Sequence, residues 1–138
     1  MAERCFMKIQ KINCHNRNTI ICISVDPKKQ KTSQLPNFSK NLLEKMPQLE
    51  HHFCDNDEKR DFIHELEDTE MAHAFEHVLL ENIAINDKSA KCISATTEWN
   101  WQAGPRYYYW ININYDKKDV LKKSLHQTWQ LFNSIMPK

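Results

Sequence analysis

Apolar and polar positions alternate along this chain in two patterns, one typical of strands and the other of helices. Strand-like runs at 6–12 and 19–25 are joined by a polar link at 13–18, and runs at 91–101 and 107–115 are joined by a turn at 103–106. Each pair predicts an antiparallel hairpin. Apolar residues at three- and four-residue steps predict four helices, at 40–46, 57–67, 69–82 and from 116 or 117 to a point before Pro137.

The predicted order is therefore β-β-α-α-α-β-β-α. This order predicts an α+β domain in which two antiparallel β-hairpins form a sheet packed by helices on one face. The length of 138 residues fits a single domain over 1–138. Ser39 is the predicted N-cap of the first helix and Pro47 its stop, Asp68 or Thr69 is the predicted cap of the third, and 84–90 is a predicted polar connection.

The second hairpin carries large side chains on both of its faces. Ile111 and Ile113 lie on one face of the alternation and are predicted core residues. Trp99 and Trp101 lie near the turn, where aromatic rings either pack or provide a binding surface. The sequence leaves both roles open for the two tryptophans.

Composition excludes several classes of function. Lys plus Arg (19) nearly balance Asp plus Glu (18), which gives no reason to expect nucleic-acid or membrane binding. A single glycine excludes the glycine-rich loops that bind nucleotide phosphates, and no apolar run is long enough to span a membrane. The five cysteines include no C-x-x-C pair and no secretory signal is recognised, so we expect a reducing cytoplasm.

The predicted helix at 69–82 carries the chemistry. Its apolar residues follow helical steps, and His73, Glu76 and His77 share a neighbouring face. Two histidines four residues apart can bind one ion from the same side, and Glu76 beside them could accept a proton from water. H-x-x-E-H is the inverted form of a zinc-peptidase motif. The alternative is a pair of solvent-facing histidines on an amphipathic helix.

Several segments resemble one known family. The residues are PQLEHHFC at 47–54, Asp68-Thr69, HAFEHVLLE at 73–81, the opening FMKIQKI and the closing helix. Together they resemble the N-terminal domain of cyanophycin synthetases over essentially the whole chain. In that family the domain precedes an ATP-grasp and a Mur-ligase-like domain and binds the β-aspartyl-arginine polymer, and in some members it is also a slow metallopeptidase. We expect neither ATP-using domain here, so the resemblance implies a binding or a cleaving role.

The resemblance also assigns roles to residues. It implies that His73 and His77 bind a metal, that Glu76 is the acid/base, and that His52 matches the histidine of the family's H-x-C element. Glu81 matches as well, but it lies about 12 Å from His73 along a helix, so we expect it to support His77 or to lie on the surface. The third metal ligand is left open: His52 is the first choice, followed by Glu98 and His126.

The chain departs from the family pattern at three places. Arg60-Asp61-Phe62 replaces Gly-Gly-Phe, Ser94-Ala95-Thr96 replaces an Arg-Thr-Arg strand, and Asn114 replaces a Glu before the last-strand Tyr. If that Glu closes the metal site or binds a substrate arginine, this chain lacks the group. Trp99, Trp101 and Asn114 are the candidate substrate-binding residues.

Two hypotheses follow. The first is a zinc-dependent peptidase or amidohydrolase that acts on β-aspartyl-arginine polymer or a related isopeptide. The second is a binding or docking module without catalysis, which works with a separate ATP-grasp/Mur-ligase-type synthetase. A purely structural subunit that forms homo-oligomers is a weaker third idea.

Overall fold

The computed structural model describes residues 7–52, 61–90, 93–99 and 107–136. Four strands form one antiparallel sheet in the order β1-β2-β4-β3. The strands are β1 (Met7–His15), β2 (Asn18–Val25), β3 (Ala95–Trp99) and β4 (Tyr108–Ile113). Both predicted hairpins are present, and β2 pairs with β4 to join them.

The connection in the first hairpin is shorter than the predicted link at 13–18. Strand β1 continues to His15, and only Asn16 and Arg17 separate it from β2. Both residues have positive φ angles, of 46° and 69°. A two-residue turn of this kind follows the natural twist of the strands, and Asn is among the residues that tolerate it best. The turn at 103–106 in the second hairpin lies outside the described residues.

Helices and short 3-10 turns follow the first hairpin. The four helices are α1 (Phe38–Lys45), α2 (Phe62–Leu66), α3 (Met71–Asn86) and α4 (Lys118–Ile135), and 3-10 turns occupy Thr32–Gln34 and Pro47–His51. Helix α1 ends just before Pro47, as predicted. For the segment predicted to be helical at 57–67, the described part is helical at Phe62–Leu66.

The predicted N-caps of α1 and α3 are wrong. Ser39 lies inside α1, where its Oγ donates a hydrogen bond to the carbonyl of Leu66 at 3.0 Å. Glu70, and neither Asp68 nor Thr69, occupies the N-cap position of α3. The hydroxyl of Thr69 instead contacts the ring of His73. The Ser39 hydroxyl therefore bonds to another segment, and the Thr69 hydroxyl contacts a side chain of the next helical turn. Neither hydroxyl caps a helix.

Helix α3 begins two residues later and ends four residues later than predicted, so 84–86 is helical rather than a polar connection. The Asn86 side chain donates to Ser124 Oγ (3.0 Å) and Gln127 Oε1 (2.7 Å) of α4. These contacts hold the last turn against α4. Local sequence does not reveal them, since both partners are about 40 positions away.

Helix α3 is buried on nearly all sides, although its sequence predicted a single apolar face. It packs on the sheet, on α4 and on the 3-10 turn at Pro47–His51. Phe75 meets Phe132 of α4 edge to face, with ring centroids 5.4 Å apart. Ile111 and Ile113 of β4 are fully buried in the same core, as predicted. A helix in this position must bury its polar side chains too, so Glu76 and His77 are each only 4% exposed.

Within the described ranges, no helix is both long and apolar enough to cross a bilayer.

Candidate metal centre

Three side chains of α3 converge, as the spacing of His73, Glu76 and His77 predicted. The Nε2 atoms of His73 and His77 are 3.1 Å apart, and His77 Nε2 is 3.5 Å from Glu76 Oε2. The three donor atoms all lie within 4.8 Å of one another. In the part of the chain that the structure describes, this is the group of His, Cys, Asp or Glu side chains close enough to share an ion. The alternative of solvent-facing histidines does not fit His77, which is buried.

The His77 ring is oriented by two residues on its other side. His77 Nδ1 lies 3.0 Å from His52 Nδ1, and His52 Nε2 lies 2.8 Å from Glu81 Oε2. A carboxylate only accepts hydrogen bonds, so His52 donates through Nε2 and, when neutral, accepts from His77 through Nδ1. His77 therefore carries its hydrogen on Nδ1. Its Nε2 lone pair points toward His73.

Burial keeps His77 neutral. Loss of solvent lowers the pKa of His77 far below its ordinary value, and positive charge on His73 or on His52 would lower it further. The pKa of His73 is also lowered by burial, which the charge of Glu65 partly opposes. Metal ligation requires neutral imidazoles, so both environments favour the form that binds cations.

Phe62 holds the two imidazoles in place. Its ring stacks on His77 with centroids 3.9 Å apart and planes 19° apart, and it meets His73 edge to face at 5.8 Å. Phe62 is fully buried, and its backbone N–H donates to the carbonyl of His52 at 2.9 Å. Phe62 therefore contacts His52 through its backbone and the imidazoles of His73 and His77 through its ring.

Glu76 is fixed by the sheet. The hydroxyl of Thr97, on β3, donates to Glu76 Oε1 at 2.8 Å, which leaves Oε2 directed at His77. Burial raises the pKa of Glu76 to about 7, and the hydrogen bond from Thr97 opposes that rise. A carboxyl group with this pKa can both accept and release a proton near neutral pH.

Two of the three donor separations fit a tetrahedral ion such as Zn²⁺, and the third, between His73 and Glu76, is no more than 4.8 Å. With metal–nitrogen distances of about 2.0–2.1 Å, two ligands of a tetrahedral ion lie roughly 3.3–3.4 Å apart. The observed separations of 3.1 and 3.5 Å lie on either side of that value. Thr69 Oγ1 lies 2.9 Å from His73 Nδ1. If Thr69 accepts the hydrogen of Nδ1, both Nε2 atoms carry lone pairs, and a cation between them would relieve their repulsion; if Thr69 donates instead, His73 Nε2–H donates to His77 Nε2.

The cluster lies in a cleft of about 680 Å³ between α3 and β3. The β3 side is formed by residues 93–97, and Lys31, Asp68 and Glu70 line the cleft as well. The positions at which the family resemblance implied arginines, Ser94 to Thr96, thus line this cleft with small neutral side chains. Burial raises the pKa of Glu70 and the charge of Lys31 opposes the rise.

The other candidate residues lie at different distances from the cluster. His52 contacts the nitrogen of His77 that faces away from His73, and Glu81 contacts His52. Glu98 is exposed on the face of β3 opposite to Thr97, and His126 is exposed beside a separate cavity between β1 and α4. Neither is among the residues that line the cleft.

Among the substrate-binding candidates, Trp99 is 43% exposed and lies on the same face of β3 as Thr97. Asn114 does not line the cleft: its Oδ1 accepts from the backbone N–H of Ser94 at 2.6 Å. Trp101 lies outside the described residues.

Sequence reasoning did not assign Phe62, Thr97 or Thr69 to the site. Thr97 could have been found from strand alternation, because its cross-strand partner is the predicted core residue Ile111.

The fold and the cluster define a class: a two-layer α+β protein with a largely buried histidine–carboxylate group beside β3, the last strand of the described sheet. The family model described as Cyanophycin synthase-like N-terminal domain matches residues 20–137, and the chain belongs to this family. The comparison with curated proteins finds no match.

Proposed function

We propose that this chain is a binding module for a peptide-like polymer, such as β-aspartyl-arginine or a related isopeptide, and that it works with a separate synthetase. The observation that carries the proposal is membership of a synthetase-associated domain family across residues 20–137. The cleft between α3 and β3 is the proposed binding site, since it combines an open volume with polar and charged side chains.

Charge supports a polymer with cationic side chains. Two exposed carboxylates, Asp68 and Glu70, line the cleft together with one lysine, Lys31, whereas Glu76 is buried and, with a pKa of about 7, only partly charged at neutral pH. Carboxylates at the rim attract arginine or lysine side chains of a ligand.

The proposed setting is a reducing cytoplasm, in keeping with the free thiols of Cys14 and Cys22.

A second candidate function is zinc-dependent hydrolysis of an amide in the same cleft. The specific observation in its favour is the convergence of His73, Glu76 and His77. His73 and His77 would hold the ion through their Nε2 atoms. When bound, Zn²⁺ would act as a Lewis acid that polarises an amide carbonyl and makes water easier to deprotonate.

The remaining roles belong to this chain's own residues. Glu76, anchored by Thr97, would take a proton from water and pass it to the leaving amine. His52 and Glu81 would keep the His77 proton on Nδ1. Glu76 is also close enough to serve as the third ligand. We therefore propose that His52 acts through His77, and that the third ligand is either Glu76 or a group from the substrate.

One set of measurements separates the two functions. Purified protein is loaded with zinc and mixed with a short synthetic β-aspartyl-arginine peptide; binding is followed by calorimetry and cleavage by mass spectrometry. Saturable binding with an intact peptide supports the binding module. Cleavage products that disappear in Glu76→Gln support the hydrolase, and the absence of any binding would overturn both.

The same variant decides the role of Glu76. If Glu76 only moves protons, Glu76→Gln retains zinc and loses cleavage. If it is a ligand, zinc affinity falls as well. His126→Ala, which removes an exposed histidine that does not line the cleft, is the matched control and should alter neither property.

A further inference from the structure

Among the described strands, β3 lies at an edge of the sheet. It pairs with β4 on one side, and no other described strand pairs with it. Edge strands carry main-chain N–H and C=O groups that can pair with an added strand. Extended peptides are recognised in this way by several classes of binding domain.

The hydrogen-bond pattern of the hairpin identifies which groups of β3 point outward. The N–H of Asn114 donates to the carbonyl of Ser94 at 3.2 Å, so these residues form a hydrogen-bonded pair. In an antiparallel ladder such pairs alternate with pairs that do not exchange hydrogen bonds. Ala95 opposite Ile113 and Thr97 opposite Ile111 are of the second type. Their main-chain groups therefore point away from β4.

The outward-facing edge borders the cleft that holds the histidine cluster. Ala95 and Thr97 both line this cleft, together with Glu76 and His77. Thr97 is itself hydrogen-bonded to Glu76 at 2.8 Å. A chain paired with the main chain of Ala95 and Thr97 would therefore pass directly beside Glu76.

We propose that the outer edge of β3 binds the ligand's main chain in an extended conformation, through the N–H and C=O groups of Ala95 and Thr97. The inference rests on the proposed function, that the domain binds a peptide-like polymer, and adds how the polymer is held. Recognition comes from amide groups spaced two residues apart, about 6.6–6.8 Å. Small neutral residues at 94–96 suit such a strand, because main-chain pairing requires no arginine there.

Amide hydrogen exchange measured by NMR tests this directly. Zinc-loaded Glu76→Gln protein, used to prevent cleavage, is compared with and without a short synthetic β-aspartyl-arginine peptide. We expect exchange at the Ala95 and Thr97 amides to slow at least tenfold on binding. The amides of Thr96 and Glu98, which face β4, should change little. Binding that leaves the Ala95 and Thr97 amides unprotected would overturn this inference and leave the proposed function intact.

A variant pair gives an independent readout. Ala95→Pro removes one outward N–H without removing a hydrogen bond to β4, and proline is tolerated at such edge positions. Glu98→Gln keeps the main chain of β3 and alters an exposed side chain on the face that does not line the cleft. We expect binding to weaken roughly five- to tenfold in Ala95→Pro, the loss of about one hydrogen bond, and to change little in Glu98→Gln.

Circular dichroism and zinc binding show whether Ala95→Pro is folded, and if it is not, the exchange measurement decides alone. Equal weakening in both variants would contradict main-chain pairing. No peptide binding by the parent protein would overturn the proposed function and this inference together.

Discussion

His77 shows how single residues determine the site. Its two nitrogens have different partners, His52 on Nδ1 and His73 on Nε2, and its ring face packs on Phe62. A buried imidazole that is hydrogen-bonded and stacked in this way has one orientation and one tautomer available to it. The carboxylate of Glu81 sets that tautomer through His52, which lies between Glu81 and His77.

Loss of the Glu81 charge should therefore weaken metal binding. In Glu81→Gln, His52 no longer donates to a carboxylate, and the tautomer of His77 is less strongly fixed. We expect zinc affinity, measured by competition with a chelating dye, to fall about 10- to 100-fold. Glu98→Gln removes an exposed carboxylate from the opposite face of β3 and is the matched control. Equal affinities in Glu81→Gln and the parent would remove His52 and Glu81 from the site.

The pKa of Glu76 predicts a pH-dependent difference in stability. In ion-free protein the folded-state pKa is about 7, against an ordinary value of 4.5, so between these pH values the folded state binds more protons than the unfolded state. The free energy of unfolding contributed by this group falls as pH rises through that window, by up to about 3 kcal/mol. Glu76→Gln removes this effect.

We therefore expect Glu76→Gln to gain stability relative to the parent between pH 5 and pH 8. Urea unfolding in the presence of a chelator measures the difference at each pH. His77 stays neutral in the folded state of both proteins, so its ionisation in the unfolded state contributes equally to both and drops out of the comparison. If the free energies of unfolding of the two proteins change with pH in parallel, Glu76 ionises normally in the folded protein.

At the scale of elements, α3 depends on polar as well as apolar contacts. Asn82 Nδ2 donates to Thr128 Oγ1 of α4 at 2.9 Å, and both residues are buried. The Thr128 hydroxyl in turn donates to the carbonyl of Ser124 at 2.7 Å. This chain of hydrogen bonds fixes the register of α4 against the helix that carries the cluster.

Thr128→Val should destabilise the protein by about 1–3 kcal/mol, because Asn82 Nδ2 is left buried without its acceptor. The double variant Asn82→Leu/Thr128→Val should lose less than the sum of the two single variants. Ser134→Ala, which removes an exposed hydroxyl bonded within α4, is the control and should stay within about 0.5 kcal/mol. Strict additivity in the double variant would show that the two helices are not coupled through this pair.

At the scale of the whole molecule, the cluster joins separate parts of the chain. Its side chains lie on α3, and they contact β3 through Thr97, α2 through Phe62 and the turn after α1 through His52. A ligand that binds this arrangement should stabilise the folded chain as a whole, because the unfolded chain cannot assemble these contacts.

Added zinc should therefore raise the thermal midpoint. At a free zinc concentration one hundred times Kd, the folded state gains about 2.7 kcal/mol, which corresponds to a shift on the order of 10 °C for a chain of this size. Calorimetry with and without zinc measures the shift. It should disappear in His73→Ala and persist in His126→Ala, and a shift of equal size in both variants would place zinc elsewhere.

Local pattern predicted much of the fold and of the cluster. Strand alternation and helical spacing predicted the order of the elements and the helical face shared by His73, Glu76 and His77, since these depend on neighbours a few residues away. The same pattern missed the helix caps, the last turn of α3 and the roles of Phe62 and Thr97. Each of these depends on a partner from a distant segment.

The sequence by itself determined the α+β order, the spacing of His73, Glu76 and His77 on one helix, and membership of the family. Tertiary structure alone decided that α3 lies at the centre of the fold, because burial on all sides depends on what packs against a helix and not on its own periodicity. It also decided that His52 meets the far nitrogen of His77. Which nitrogen of a ring a distant histidine contacts depends on how two separate chain segments pack, and no spacing along the chain records that.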